Sequence, residues 1–316
     1  MRALVLDHQL ALQREYPDPH PRAGESVVRV RIAGICGTDL ELARGYMAYR
    51  GVLGHEFVGR VEHSAERNLI GRRVVGEINA GCGKCDRCAG GLSRHCASRT
   101  VLGILGRDGA FADLLCLPDE NLIAVPDSVP DELAVFSEPV AAAYEIFEQT
   151  RIARNQSICV LGDGRLGAIV AMVLRGEDYR PILAGHHPEK LARLSALGIS
   201  TELATNLESG FDVAIDCTGA SAGLARAIEL VRPRGTIVLK STAAAGANLN
   251  LAPIVIDEIA VVGSRCGRLA PALAALAQGK LDPRPLISGV YAIEDGLEAM
   301  EAAASPPNFK ILLKFS

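Results

Sequence analysis

The sequence predicts an α/β chain with two parts: a doubly wound parallel sheet and a β-rich, loop-dense portion. Three observations lead there. From residue 157 onward, apolar strand-like runs alternate with amphipathic helix-like runs, the pattern of a parallel sheet covered on both faces. Up to about residue 130, Gly and Pro punctuate short alternating runs, as in a compact β domain carrying functional loops. With 316 residues the chain is also comfortable as two domains rather than one small core.

The elements follow in order. RALVLD and SVVRVRIAGI read as strands, the second with Arg29 and Arg31 alternating against apolar neighbours. Residues 131–150, DELAVFSEPVAAAYEIFEQT, read as one helix with Asp131 as N-cap and Glu132 in the first turn. Then come SICVLG (strand), RLGAIVAMVLRG (helix), PILAG (strand), PEKLARLSALG (helix), FDVAIDCTG (strand), LARAIELV (helix), GTIVLK (strand) and EIAVVGS (strand). One more helix, PALAALAQGK, precedes a return to short strands ending in FKILLKFS. No internal repeat or low-complexity segment interrupts this.

Composition excludes several classes. A formal net charge of −4 argues against a general affinity for nucleic acid or anionic membrane. No apolar run approaches the roughly 18–20 residues that span a bilayer. The apolar start MRALVL is broken at Asp7 and His8, too soon for a signal peptide, so a cytoplasmic protein is expected. Nine cysteines in such a compartment suggest metal or core roles rather than disulfides.

Four of them form GCGKCDRCAGGLSRHC, in which Cys82, Cys85, Cys88 and Cys96 are spaced C-x2-C-x2-C-x7-C. Two-residue gaps turn successive thiolates onto one cation, and the longer gap brings the fourth from the far side. Four sulfurs and no fifth partner describe a closed structural zinc site. Four free thiols or an iron–sulfur cluster are the weaker readings, and His95 is expected to be a bystander. Cys116, Cys159 and Cys217 look like core thiols. Upstream, Cys36 in GICGTD, His55 and Glu56 in GHEF, and Glu138 in SEPVA offer sulfur, nitrogen and oxygen donors to a second metal. A catalytic zinc takes three protein ligands and leaves one position open, where it acts as a Lewis acid on an alcohol.

A dinucleotide loop is read from CVLGDGRLGAIVAMVL, where Gly162, Gly164 and Gly167, with Arg165 and Leu166 between, form G-x-G-x-x-G after a strand and before a helix. The first glycine allows the turn, the second admits the pyrophosphate, and the third lets helix pack on strand. The helix N-terminus then faces the phosphates. The following strand ends in Gly185, His186 and His187, where NAD enzymes usually place a carboxylate. Its absence removes a discrimination against NADP, and two imidazoles could donate to the extra phosphate, so NADP is favoured over NAD. Thr218, Ser241 and Arg265, at or beyond the ends of later strands, complete the candidate cofactor contacts.

On G-I-C-G-T-D, G-H-E-F-x-G, the four-cysteine lobe and the glycine fingerprint, in that order, the chain resembles the zinc-containing medium-chain dehydrogenase/reductase family, in the style of its sorbitol and threonine dehydrogenase branch. The resemblance implies a GroES-like β-rich catalytic domain of residues 1–139 and 269–316, with an inserted Rossmann-type doubly wound parallel-sheet domain of residues 140–268. It implies two zinc ions per chain. Cys36 and His55 match catalytic ligands, Glu56 a carboxylate on or just behind the metal, and Glu138 a third ligand acting directly or through water. Thr38 matches the hydroxyl that receives the substrate proton. Glu41 stands where many members carry a relay histidine, so it either relays the proton or is a solvated helix residue.

The expected reaction is hydride transfer between an alcohol (a polyol, amino alcohol or secondary alcohol) and the nicotinamide. The expected partner is a small alcohol or carbonyl substrate, not nucleic acid or membrane, and a homodimer or homotetramer is implied by analogy. Tyr46, Met47 and Tyr49 are candidate pocket residues, and Cys266 borders either the nicotinamide or the core. The alternatives are an NADPH-linked aldehyde or ketone reductase, a non-catalytic relative that binds NADPH and zinc, and a zinc-ribbon nucleic-acid module, the last disfavoured by the acidic charge.

Overall fold

The computed structural model describes residues 1–242 and 249–316. These form two compact units, Met1–Glu138 with Leu269–Ser316, and Pro139–Arg268.

The first unit is organised on a seven-stranded sheet whose centre is the ten-residue strand Glu25–Gly34. Val28, Val30 and Ile32 of this strand are buried while Arg29 and Arg31 face outward, the two-residue period the sequence shows. It pairs antiparallel with Glu56–His63, with Leu114–Pro118 along its first half, and with Lys310–Lys314 at its end. That last pairing brings the C-terminal segment into the first unit's sheet, with the strand Ile287–Ala292 running parallel beside it.

Two expectations are corrected in this region. Residues 131–150 are not one helix but two, Asp131–Ala134 and Ser137–Gln149, and the Ser137 hydroxyl donates to the Ala134 carbonyl at the break, at 2.7 Å. Asp131 is not the cap. Pro130 holds that position, and the Asp131 carboxylate instead accepts from Arg31 Nε at 2.6 Å and Arg73 Nη1 at 2.9 Å. Two guanidinium donors outcompete the backbone for a carboxylate that sequence alone assigns to capping.

The second unit carries a six-stranded, all-parallel sheet. Across it lie Ser200–Leu203, Pro181–Gly185, Ile158–Leu161, Phe211–Asp216, Val231–Leu239 and Ala260–Gly263. Numbered along the chain this is the order 3-2-1-4-5-6, the dinucleotide-binding arrangement, in which strand order reverses beside Ile158–Leu161. The helix Arg165–Gly176 buries every residue from Gly167 to Leu174, which explains its near-continuous apolar sequence. Sequence reading missed the edge strand Ser200–Leu203, whose STEL sequence carries no apolar run, and the helix Gly296–Ala304, whose buried stripe is Gly296, Ala299, Met300 and Ala303, mostly small residues. No helix among the described residues is long and apolar enough to cross a membrane.

Candidate metal and cofactor sites

The central strand of the first unit ends at Gly34, and two residues later Cys36 occupies the N-cap of the helix Gly37–Ala43 with extended backbone. Asp39 Oδ2 accepts the Cys36 backbone N–H at 2.8 Å, one arm of a capping box. The other carboxylate oxygen of Asp39 lies 3.3 Å from the Gly54 N–H and 3.2 Å from His55 Nδ1. Fully buried Asp39 therefore ties the Cys36 turn to the Gly54–His55 turn. His55 and Glu56 are buried as well, and Glu56 begins the neighbouring strand. The ligand atoms of Cys36, His55 and Glu56 all lie within 4.8 Å of one another.

This group has the character of a metal site. Burial alone would lower the His55 pKa, but the Asp39 carboxylate and then the Cys36 sulfur outweigh it and hold the imidazole well above its ordinary value. Glu56 Oε1 is buried without a hydrogen-bond partner, and buried His55 Nδ1 has no aligned hydrogen bond but faces the Asp39 carboxylate at 3.2 Å. Buried polar atoms are nearly always satisfied, so the unpartnered Glu56 oxygen beside a thiol and an imidazole fits a group that holds a cation. Thiolate, imidazole and carboxylate together suit zinc.

The second oxygen of Glu56 is occupied. Lys310 Nζ, from the C-terminal strand and itself buried, donates to Glu56 Oε2 at 2.5 Å and lies 5.8 Å from the centre of the Phe136 ring. A Cβ at Gly34 would fall 2.3 Å from the same oxygen, so the Glu56 side chain needs glycine there. Sequence reading missed both Asp39 and Lys310. Asp39 could have been found as an acid three residues after an N-cap. Lys310 is 254 positions from its partner and leaves no local signal.

Thr38 Oγ1 lies 3.9 Å from Cys36 Sγ, beside the group. Glu138 sits in the first turn of the helix Ser137–Gln149, half-buried and outside the three-residue group. Glu41 is exposed and ion-paired with Arg44 at 2.7 Å, on the solvent face of its helix. Tyr49 is buried, its hydroxyl donating to the Val52 carbonyl at 2.8 Å, with the Arg107 carbonyl at 3.0 Å. Tyr46 is half-buried and Met47 exposed.

The four-cysteine lobe is a second group whose sulfurs all lie within 4.8 Å. Cys85 caps the short helix Asp86–Ala89 that contains Cys88, and fully buried Cys96 follows the turn Ser93–His95. The Cys85–Cys88 and Cys85–Cys96 sulfur separations are 3.5 and 3.7 Å. A tetrahedron with metal–sulfur bonds of about 2.3 Å has edges of about 3.8 Å, so the lobe already has the size of a zinc tetrathiolate. The backbone N–H of Lys84, followed by the Cys96 thiol, lowers Cys82 to about 6, and the Cys88 N–H lowers Cys85. Burial pushes Cys88 up to about 11, with Cys85 adding to the rise. His95 is exposed.

In the second unit the glycine loop behaves as its spacing predicts. Gly162 has φ +110°, and a Cβ there would meet the Cys217 carbonyl at 2.8 Å. A Cβ on Gly167 would lie 1.9 Å from the Gly162 carbonyl oxygen, so only glycine lets the helix sit this close. Around Gly164, the N-cap, a Cβ would meet nothing within 4 Å, so this side is open to a phosphate. Arg165 and Leu166 open the helix. Gly185 ends its strand, but the turn beyond it is organised by Asp163. The Asp163 carboxylate accepts from the backbone N–H groups of His186 and His187, each at 2.8 Å, and lies 3.0 Å from His187 Nδ1.

Further along, Thr218 Oγ1 donates to Asp216 at 2.7 Å, and the Ser241 hydroxyl accepts the Gly219 N–H at 2.8 Å. Lys240 turns inward to the Ala142 and Arg265 carbonyls at 2.6 and 2.7 Å. Arg265 is exposed and Cys266 half-buried, while Cys116, Cys159 and Cys217 are buried core thiols.

Two family models match the chain. The alcohol dehydrogenase GroES-like domain covers residues 22–127, and the zinc-binding dehydrogenase domain covers residues 166–278. The chain is 30% identical to a sorbitol dehydrogenase of Halalkalibacterium halodurans, over 95% of this chain and 94% of that protein. It is 28% identical to an L-threonine 3-dehydrogenase of Rhizobium rhizogenes, over 99% and 98% of the two chains. Among solved structures, an Escherichia coli CFT073 protein described as a short chain alcohol dehydrogenase, in complex with NADH, superimposes with a TM-score of 0.91 at 26% identity, over 100% of this chain and 99% of that one. A GroES-like unit and a 3-2-1-4-5-6 parallel sheet, matched to these relatives over nearly the whole length, establish that the chain belongs to the zinc-containing, alcohol dehydrogenase-like medium-chain dehydrogenase/reductase family, and that it is an oxidoreductase.

Proposed function

We propose that this chain interconverts a small alcohol and its carbonyl, using one catalytic zinc, one structural zinc and a nicotinamide dinucleotide. The observation that carries the reading is the Cys36–His55–Glu56 group, in which a buried carboxylate oxygen of Glu56 has no partner. When bound, zinc supplies Lewis-acid polarisation of the substrate oxygen, and the nicotinamide supplies the hydride acceptor or donor. Cys36 and His55 would hold the catalytic ion, with Glu56 beside it and Glu138 adding a direct or water-mediated contact. Cys82, Cys85, Cys88 and Cys96 would hold the structural one.

The chain's own residues then have defined tasks. Asp39 orients His55, as a carboxylate behind a ligating histidine does. Lys310 keeps one oxygen of Glu56 engaged and so restrains the carboxylate. Thr38 takes the substrate proton, and because Glu41 is paired with Arg44 at the surface, that proton leaves to solvent rather than through Glu41. Gly162 makes the turn, Gly164 leaves room for the pyrophosphate and Gly167 lets the helix pack close, with Thr218 and Ser241 shaping the next strand ends.

The sorbitol and threonine dehydrogenase relatives support a polyol, amino-alcohol or secondary-alcohol substrate. The same site serves carbonyl reduction, and the direction in the cell depends on the cofactor. The absence of an acid at Gly185 favours NADP, whereas the Asp163 carboxylate found at that turn weighs towards NAD. Nine free cysteines, at least four arranged as thiol donors, suit a reducing cytoplasm.

Assembly as a homodimer or homotetramer is supported by the edge strand Ala260–Gly263, which leaves Val261 exposed, and by the neighbouring helix Ala252–Ile256, which leaves Val255 and Ile256 each 77% exposed.

The reading is tested with Cys36→Ala. The variant should stay folded, lose about one equivalent of zinc and lose nearly all turnover with an alcohol panel; retention of both equivalents and of turnover refutes it.

A further inference from the structure

We infer that Asp163 is the cofactor-selecting residue of this chain and makes it prefer NAD(H) to NADP(H). The inference rests on the proposal that the second unit binds a nicotinamide dinucleotide. In sheets of this order, an acid at the end of the second strand accepts from the adenosine ribose hydroxyls and repels a 2′-phosphate. Here that position is Gly185, and sequence alone reads its bare backbone as permission for NADP.

The structure shows why Gly185 is glycine. A Cβ built there would lie 2.2 Å from Asp163 Oδ2 and 2.4 Å from its Cβ and Cγ. The space that a strand-end acid would enter is already filled by a carboxylate arriving from the glycine loop, two residues before the helix Arg165–Gly176 begins.

The donors of this turn are spent on that carboxylate. A 2′-phosphate is held by N–H groups and cationic side chains at the strand end. The backbone N–H groups of His186 and His187 both point at Asp163 Oδ2, and His187 Nδ1 lies 3.0 Å from both carboxylate oxygens. The two histidines that look like a phosphate anchor in the sequence are therefore organised around a negative charge. A carboxylate offers about four acceptor positions, and three donors leave about one for a ribose hydroxyl. Burial would push the Asp163 carboxyl up, but the His187 and His186 donors outweigh it and hold the group below its ordinary value, so it is ionised when the cofactor arrives. Arg165 and Lys190 share this neighbourhood as positive charges, so the turn is not uniformly acidic. Selectivity comes from the carboxylate that stands where the 2′ substituent would be accommodated.

The test is a direct titration of NADH and NADPH, followed by the fluorescence of the reduced nicotinamide, in a chain that has no tryptophan to interfere. The native protein should bind NADH about tenfold or more tighter than NADPH. Asp163→Asn keeps size and one acceptor oxygen but removes the charge, and should shrink that ratio about tenfold.

Because Asp163 also orders the turn, a second pair of variants separates charge from folding. Asp163→Gly alone should lose the preference, and Asp163→Gly with Gly185→Asp, which moves the carboxylate from the loop to the strand end, should restore it. Tighter NADPH binding by the native protein, or an unchanged ratio in both Asp163→Asn and Asp163→Gly, overturns the assignment while leaving the dinucleotide reading intact. Binding of neither nucleotide overturns both.

Discussion

Replacing Lys310 by methionine is the sharpest perturbation the first unit offers. Lys310 and Glu56 pair at 2.5 Å with side chains only 4% and 1% exposed, so neither charge has much water to fall back on. Lys310→Met keeps most of the side-chain volume and opens no large cavity, but it leaves Glu56 buried with both oxygens unpartnered. Breaking a buried ion pair by removing one member costs about 3–5 kcal/mol, mostly the penalty of the abandoned charge. For a unit of this size, each kcal/mol moves the midpoint by about 2–4 °C, so the variant should melt about 6–20 °C lower. The double variant Lys310→Met with Glu56→Gln removes both charges and should regain most of the loss.

The assay is calorimetry or far-ultraviolet circular dichroism with metal content matched between variants, since a bound cation also compensates Glu56. A shift under about 2 °C for Lys310→Met, or a double variant no more stable than the single one, would show that Glu56 does not depend on this lysine.

Further outcomes follow from the same structure. Cys96→Ser should release about one equivalent of zinc and open the lobe to proteolysis between residues 82 and 96, while the Cys36 site keeps its metal; unchanged zinc content and protection would refute the tetrathiolate. Asp113 accepts from Arg2 N and Arg2 Nη2, each at 2.7 Å, and although burial pushes its carboxyl up, the Arg2 contacts hold it below the ordinary value. A depressed carboxyl stabilises above its unfolded pKa and loses that contribution as pH falls through the folded one. Asp113→Asn should therefore cost about 1–3 kcal/mol at pH 7 and flatten the decline in stability below about pH 4; an unchanged acid limb in denaturant melts counts against it. Val255→Glu with Ile256→Lys should shift the sedimenting species towards monomer if the exposed edge of the second unit is an interface, and an unchanged coefficient would place assembly elsewhere.

Much of the second unit was legible because its signals are local. A strand that runs apolar into G-x-G-x-x-G and then into a buried helix needs only neighbouring residues to be recognised, and the three glycines act where their spacing puts them. The four-cysteine lobe is legible for the same reason, since Cys82 to Cys96 form one short segment whose two-residue gaps already return the sulfurs to one point. Asp131 shows where local reasoning stops. An acid before a helix looks like a cap until Arg31, 100 positions away, is folded against it.

Sequence by itself carried most of the order of elements and the residue types of the candidate metal and cofactor groups, because backbone period, glycine conformation and thiol chemistry are properties of short segments. Only the tertiary structure decided how those donors are held and what surrounds them. It placed Asp39 between two turns, set Lys310 on Glu56 from the far end of the chain, and filled the space above Gly185 with the carboxylate of Asp163. Each of these brings together groups from separate segments of the chain, and such contacts leave no trace in a pattern read one segment at a time.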